Sequence, residues 1–436
     1  MAAEMKTILQ KYSAYKDSGV DWLGEVPEHW EVKRLKYVFK ILKRIAGELG
    51  HDVLSITQTG IKVKDTESGE GQLSMDYSKY QLVSRGDFAM NHMDLLTGYV
   101  DISKYDGVIS PDYRVFELSD LNSFKNYMLL LLQLGYRSKV FYAHGQGVSM
   151  LGRWRFPTEN FNIFSFPIPP KDEQTAIASF LDRKTTLIDK AIGIKQKQIQ
   201  LLKERRQIII HQAVTRGLDP DVKMKDSGVE WIGEVPEGWE VVPMIKYASR
   251  VDYRGKTPEK ADEGVILVTT KNIKGGKIDY EISKEYVLEK DYKAIMSRGL
   301  PSIGDILFTM EAPLGMAAIV DNTEVAIAQR IIKFHFNEKE FDSYYVNQSI
   351  QSEYFQKILQ REATGSTAQG IKASKLHKLK MIKPPLYEQK EIFSAIETNS
   401  QNIATAITLK QQEIEKLKEY KATLINSAVT GKIKVN

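Results

Sequence analysis

"PPKDEQTAIASFLDRKTTLIDKAIGIKQKQIQLLKERRQIIIHQAVTRG" runs from Pro169 to Gly217, and "PPLYEQKEIFSAIETNSQNIATAITLKQQEIEKLKEYKATLINSAVTGK" from Pro384 to Lys432. The two align without a gap at an offset of 215 residues. Apolar or small residues recur at spacings of three and four: Ile177, Leu181, Ile188, Ile192, Ile199, Leu202, Ile209 and Ala213 in the first copy. The second copy has Ile392, Ile396, Ile403, Ile407, Ile414, Leu417, Leu424 and Ala428. Helical geometry puts each set on one face, the seam pattern of a coiled coil. The Pro–Pro pairs mark helix starts, where proline's missing N–H costs nothing, and Gly217 and Gly431 supply stops. From Asp172 to Ala213 a helix is roughly 60 Å long. A lone helix with one apolar stripe is unstable in water, so the two are expected to clasp each other antiparallel within the chain. Ile188, Ile199 and Leu202 are expected in the seam of the first, and Ile403, Ile414 and Leu417 in that of the second. Lys184, Lys195 and Arg206 interrupt one stripe, and Asn399, Lys410 and Lys421 the other; polar seam positions fix register at some cost in stability.

A second phrase is also written twice. "KDSGVDWLGEVPEHWEV" begins at Lys16, and "KDSGVEWIGEVPEGWEV" begins 209 residues later at Lys225. The order is phrase, variable block, long periodic segment, then all three again, which is a duplicated domain plus connector rather than a solenoid. The expected segments are an N-terminal extension with a first collar (1–30), a first variable block (31–166) and a first long helix (167–217). A second collar (218–239), a second block (240–381) and a second long helix with a C-terminal tail (382–436) follow. Antiparallel pairing brings each phrase to the end of the other helix, as a brace anchored by Trp22, Trp30, Trp231 and Trp239, since large aromatics bury the most area. The fold class is therefore α/β: two globular mixed α/β domains separated by two long antiparallel helices in an intramolecular coiled coil, pseudo-two-fold and near-circular.

Composition narrows the function. The 436 residues contain no cysteine, which excludes disulfides, thiol catalysis and cysteine-based metal sites. No run of eighteen apolar residues occurs and the N-terminus lacks an apolar signal core, so no membrane and a cytoplasmic location are expected. A formal charge of +5 is compatible with nucleic acid without demanding it. There is no G-x-x-x-x-G-K-[ST] loop, no amino-methylation box, no Gly-rich turn opening a βαβ unit and no H-E-x-x-H, while the seven histidines are scattered. The expectation is a non-catalytic chain, with no catalytic residue and no metal ligand of its own.

Duplicated domains held apart by a rod suit a ligand that repeats along an axis, and duplex DNA presents equivalent grooves about every 34–36 Å. At this point the sequence resembles the specificity subunit of type I restriction-modification enzymes. The resemblance rests on the doubled "DSGVxWxGEVPExWE" phrase and the doubled "PPxxEQ" opening of a helix that ends in "AVTRG" in the first copy and "AVTGK" in the second. "VPMIKYASRVDYRGKTPEKA", "VTTKNIKGGKI", "GDILFTM", "GSTAQGI" and "LHKLKMIKPPLYEQ" add to it in the second half. The first half departs from the pattern, because "DVLSITQTGIKVKDTESGEG" lacks a "GKTP" equivalent. The resemblance implies that the blocks are target recognition domains, each reading one half of a bipartite, asymmetric double-stranded DNA sequence. It also implies that the helices separate them as a ruler and dock two modification (methyltransferase) subunits, with restriction (motor–nuclease) subunits joining for cleavage. S-adenosylmethionine, ATP and Mg are then expected on those partners and no cofactor on this chain.

Bases are read by Arg, Lys, Asn, Gln, Ser and Thr, and phosphates are held by Lys, Arg and hydroxyls. Candidates in the first block are Asn91 and His92 after "RGD", Arg114 in "SPDYRVF", and Gln146, Ser149, Arg153 and Arg155 in "YAHGQGVSMLGRWRF". In the second block they are Lys271, Asn272 and Lys274 ahead of a Gly–Gly bend, Gln329 and Arg330, and Thr364, Ser366, Thr367, Gln369 and Lys372 in a small-residue loop. By position Arg114 and Arg330 are expected to be counterparts. The alternative reading is a protein-binding scaffold or adaptor on the same helices.

Overall fold

The computed structural model describes residues 10–66, 74, 76–147, 154–255, 257–365 and 369–435. They divide into two units, Met1–Ile194 with Glu413–Asn436, and Lys195–Gln412. Each unit contains half of a first long helix, Lys171–Arg216, and half of a second, Leu386–Val429.

The head of the first unit is a four-stranded antiparallel sheet of β1 (Phe39–Leu42), β2 (Phe88–Met90), β3 (Val100–Ile102) and β4 (Arg114–Leu118), in the order β1-β4-β2-β3. Side chains alternate between its faces. Phe88, Met90 and Phe116 enter the main core, and Ala89 and Val115 enter a smaller one with Leu54, Ile61, Val83 and Ile109. Helix α1 (Lys125–Arg137) buries Tyr127, Met128, Leu131 and Leu132 in the main core; this spacing is one helical face.

The second unit repeats the plan with β5 (Ala248–Asp252), β6 (Ile306–Thr309), β7 (Ala317–Ile319) and β8 (Ile331–Phe336), in the order β5-β8-β6-β7. Ile306, Phe308, Ile332 and Phe334 line one core, and Leu307, Ala318 and Ile331 the other. Both central strands start from one turn chemistry. The Ser84 N–H donates to Asp87 Oδ2 at 2.8 Å, and the Ser302 N–H to Asp305 Oδ2 at 2.8 Å. Asp305 is fully buried and lies 2.6 Å from Lys333 Nζ and 2.8 Å from His335 Nδ1, while Asp87 pairs with Arg44.

The "EQ" of each long helix explains how a head is held. Gln174 is fully buried: its Oε1 accepts from the Phe124 N–H at 2.7 Å, and its Nε2 donates to Asn122 O (3.0 Å) and Pro169 O (2.8 Å). Gln389 does the same in the second unit, accepting from the Asp342 N–H (2.8 Å) and donating to Glu340 O (2.9 Å) and Pro384 O (2.8 Å). The preceding glutamates accept collar indoles, Trp30 Nε1–H to Glu173 at 3.2 Å and Trp239 Nε1–H to Glu388 at 2.8 Å. A buried tyrosine ties in the other helix of each unit. The Tyr127 hydroxyl lies 2.9 Å from Val429 O and 3.2 Å from Pro167 O, and that of Tyr345 lies 3.4 Å from Val214 O and 3.0 Å from Ile382 O.

The collars are small antiparallel ribbons, Tyr15–Asp17 with Glu25–Pro27 and Met224–Asp226 with Glu234–Pro236. Gly217 (φ +78°) and Gly431 (φ +75°) end the long helices in the left-handed region that L side chains avoid. A Cβ at Gly431 would lie 2.4 Å from Pro27 and one at Gly217 3.2 Å from Trp239, so each stop is fitted to its collar.

Within each unit the two long helices run antiparallel and touch. In the first, Ile188 is buried beside Leu424 and Ile425, and Asp189 pairs with Lys421 at 2.7 Å. Ile192 and Leu417 pack partly buried against the same core. In the second, Ile403 is buried, Ile199 and Leu202 are half-buried, and Arg206 Nε donates to Ser400 Oγ at 3.1 Å. Ile414 is buried in the first unit. Arg206 and Lys421, placed in the seams by spacing, thus reach polar partners on the facing helix.

One expectation about the collars needs correction. Trp231 is 38% exposed and does not anchor a core. Its counterpart Trp22 stacks on Phe164 at 5.7 Å and meets Phe166 edge-on at 6.1 Å. At the same offset from the Pro–Pro pair the second copy has Leu379 and Met381, leaving Trp231 no aromatic seat; the Arg361 guanidinium lies over it at 4.9 Å instead. The segment that follows β8 forms two helices, α2 (Ser343–Gln351) and α3 (Glu353–Glu362). Ser352 leaves helical geometry (ψ 154°) and its hydroxyl donates to Ser349 O at 2.6 Å.

Gln174→Leu strands the Phe124 N–H and two carbonyls in a dry site, which costs about 1–3 kcal/mol. Its urea midpoint should fall with little change in slope, and Gln389→Leu should do the same. Wild-type midpoints in both variants would show that these amides hold nothing.

Candidate nucleic-acid interface

Each unit gathers several of the sequence candidates at one end of its sheet. In the second unit the strand β6 leads into Met310–Gly315. This loop is folded back by the Thr309 hydroxyl, which donates to Pro313 O at 2.6 Å and accepts from the Met316 N–H at 2.9 Å. Three candidate segments are tied to it. The Met310 N–H donates to Arg330 O at 2.9 Å and the Ile371 N–H to Met310 O at 3.0 Å. Glu311 forms a β-bridge with Gly370, which also bridges Thr364, and the Thr270 hydroxyl donates to Ala312 O at 3.2 Å. Beneath the loop, Gln356, Leu359 and Gln360 of α3 line a cavity of about 320 Å³ with Ala312, Pro313, Leu314 and Gln369.

On this rim Lys271, Lys274, Arg330, Thr364, Gln369 and Lys372 are exposed, and Gln329 is half-buried. Lys271 lies 3.6 Å from Glu285, and Arg330 Nε lies 3.3 Å from Glu311 Oε1. Ser366 and Thr367 lie outside the described residues. Asn272 is not a contact residue. It is fully buried: its Oδ1 accepts from the Thr269 N–H and hydroxyl, both at 2.9 Å, and its Nδ2 donates to Asp279 O and Ser283 O, both at 2.9 Å. All its hydrogen-bonding capacity builds the turn that presents Lys271 and Lys274.

In the first unit, Asn91 and His92 follow β2 and are half-buried. The Phe156 N–H donates to His92 O at 2.8 Å, the Leu95 N–H to Trp154 O at 3.0 Å, and Gln146 and Arg155 exchange two backbone bonds of 2.8 Å. Gln146 and Arg155 are exposed, so this structure brings four candidates together. Ser149 and Arg153 lie outside the described residues. Asn91 Oδ1 accepts from the Met93 N–H at 3.2 Å. Burial, with Arg114 and Arg155 nearby, pushes the His92 pKa down to about 3, so its ring is neutral near pH 7.

Arg114 is also corrected. It is only 4% exposed, and its guanidinium donates to Phe156 O (3.0 Å) and Thr158 Oγ1 (3.2 Å) while lying over the Phe161 ring at 4.7 Å. Burial lowers its pKa to about 10, so it remains a cation inside the head. It supports the rim from below. Nor is Arg330 its counterpart. Phe88 faces Phe116, and Ile306 faces Phe334, a common offset of 218 that takes Arg114 to Ile332 and Arg330 to Asp112.

Sequence reading missed Glu311–Pro313 and the props of the first rim, Trp154 and Tyr136. The Tyr136 hydroxyl donates to Asn91 O at 2.7 Å, and Trp154 Nε1–H to Tyr142 O at 2.8 Å. The Ala–Pro and Gly in "MEAPLG" were a turn signal; an acidic residue among them gave no hint of a place at the rim. Among the described residues no His/Asp/Glu cluster fit for a metal occurs, and no helix is long and apolar enough to cross a membrane.

Comparison with known proteins places this geometry. The model of the type I restriction modification DNA specificity domain matches residues 27–204 and 245–419. The type I restriction enzyme MjaVIII specificity subunit of Methanocaldococcus jannaschii is 27% identical over 433 residues, covering 94% of each chain. The MjaX specificity subunit named in the same organism is 26% identical over 439 residues, covering 95% of this chain and 96% of its own. A chain solved in work on complex assembly and conformational transition of the type I R-M system superposes with a TM-score of 0.67 at 12% identity, covering 93% of this chain and 98% of that one. The HsdS subunit of Thermoanaerobacter tengcongensis gives 0.55 at 14% identity, with 94% and 98% covered. At these identities the solved structures speak for the fold alone.

His92 sets an acid-side dependence of stability. Its pKa is depressed on folding, so between pH 6.5 and about 3 the unfolded chain holds more protons, and stability falls as pH drops through that window. His92→Gln should lose less of its denaturant midpoint than wild type between pH 7 and pH 5; parallel losses would show that the ring does not titrate this way.

Proposed function

Because the chain belongs to the type I restriction-modification DNA specificity family, we propose that it reads a bipartite, asymmetric duplex sequence, one half with each head. In this reading it brings two modification subunits, and with them the restriction subunits, to that site. The observation that carries the proposal is the pairing of one repeated clamp with two unlike rims. Glu173–Gln174 and Glu388–Gln389 hold their heads through matching bonds. The rims share no such match: Gln146 and Arg155 are exposed beside half-buried Asn91 and His92 in one, and Lys271, Lys274, Arg330, Thr364, Gln369 and Lys372 are exposed in the other. Like frames with unlike rims suit reading two different half-sequences.

The chemistry is assigned to the partners, which would hold S-adenosylmethionine, ATP and Mg. This chain contributes amide, hydroxyl and cationic groups for base edges and phosphates. The first long helix has 46 residues, about 69 Å at 1.5 Å per residue, and its length would set the gap between half-sites.

Replacing residues 240–381 by the block of another family member should change one half of the motif found by sequencing modified DNA, with partner subunits supplied; changes in both halves would reject independent reading. Removing matching turns from both long helices should alter the gap and spare both half-sequences. An unaltered gap would reject the ruler.

A further inference from the structure

We propose that Glu311 is a positioning residue for base recognition in the second unit, holding Arg330 so that its guanidinium fork meets a guanine edge. The inference rests on the DNA-reading role argued above and names a residue pair within it.

The backbone gives the first observation. Arg330 has φ +78°, and Ala312 in the neighbouring loop has φ +45°. An L residue with a long side chain is disfavoured there, where glycine or asparagine fits without cost. Such strain persists only where the surroundings over-determine it, and it concentrates at functional positions. Here the surroundings are specific: the Met310 N–H holds Arg330 O at 2.9 Å, and Gly370 and Ile371 hold the other side of the Met310–Glu311 segment.

The side chains give the second. Glu311 Oε1 approaches Arg330 through Nε at 3.3 Å, with both side chains about half exposed (45% and 49%). Neither terminal nitrogen of Arg330 makes a hydrogen bond among the described residues. Arg114 shows what a supporting arginine looks like in this fold: buried, and spent on a carbonyl and a hydroxyl. Arg330 is the opposite case, exposed at a rim with its fork unused. Two terminal donors at fixed spacing match guanine O6 and N7, and a carboxylate 3.3 Å from Nε biases the plane in which they lie. Arg254 is also near Glu311, but its guanidinium is bound to Asp252 at 2.6–3.1 Å, which leaves Glu311 to Arg330.

Third, the pair is confined to one unit. The shared offset of 218 puts Met93 and Asp112 at the equivalent positions of the first unit. Any effect should fall on one half of the target.

The test uses the full chain with its modification subunits on a randomised duplex library, and reads modified positions by sequencing. The wild type should return a two-part motif, with the half belonging to the second unit identified by exchange of residues 240–381. Glu311→Gln should lose about 5- to 150-fold discrimination for G·C at one or two adjacent positions of that half, and Glu311→Asp should recover most of it. Arg330→Gly should lose the same positions while its thermal midpoint stays at or above wild type, because glycine accepts the backbone geometry. An unchanged motif in Glu311→Gln and Arg330→Gly, or a change in the other half, overturns the inference while leaving split recognition standing. A wild type with no two-part motif overturns both.

Discussion

A fully buried glutamine amide at the first turn of each long helix is the constraint on which the remaining architecture depends. Gln174 and Gln389 each satisfy one backbone N–H and one carbonyl of the head, and one carbonyl of the helix's own Pro–Pro entry. Buried polar groups are tolerated only when paired, so the head cannot rotate on its helix without breaking two of these bonds together. The neighbouring glutamate adds the collar through an indole N–H, and a buried tyrosine adds the end of the other helix. Helix start, collar, head and second helix are thus fixed at one point in each unit.

Above that point the sheets do different work on their two faces. The phenylalanine-bearing face of each packs toward the clamp, and the aliphatic face is covered by loops and short strands. The rims sit at the strand ends, where the chain has left the main sheet and is able to vary. Variation there leaves the core untouched, which is why two heads of the same plan carry unlike groups at their edges.

Much of this was legible in the primary structure, and the reason differs by element. The long helices were written in a periodicity that puts apolar residues on one helical face, and their glycine stops sit where φ requires them. The pairing of heads with helices was implied by the doubled "PPxxEQ", although only the coordinates show that Gln174 and Gln389 act through backbone groups far away in sequence. Site residues were harder to read. Asn272 and Arg114 have the right chemistry for DNA but spend it inside the fold, and a hydrogen-bonding side chain carries no mark of its own burial. Glu311 was overlooked for the converse reason, since its role depends on a bridge to Gly370 that sequence distance conceals. Trp231 failed because a repeated residue was assumed to keep a repeated neighbour, and Phe164 and Phe166 have no aromatic equivalents in the second copy.

That last departure leaves the molecule with an optical reporter of its own. Of the five tryptophans, Trp30 and Trp239 are buried, Trp22 and Trp154 half-buried, and Trp231 alone is exposed. Its indole lies under the cation of Arg361, which is three residues from Thr364 on the second rim. Movement of that rim would shift a positive charge relative to a light-absorbing ring, so the emission colour and intensity of Trp231 report the rim's state without any added dye.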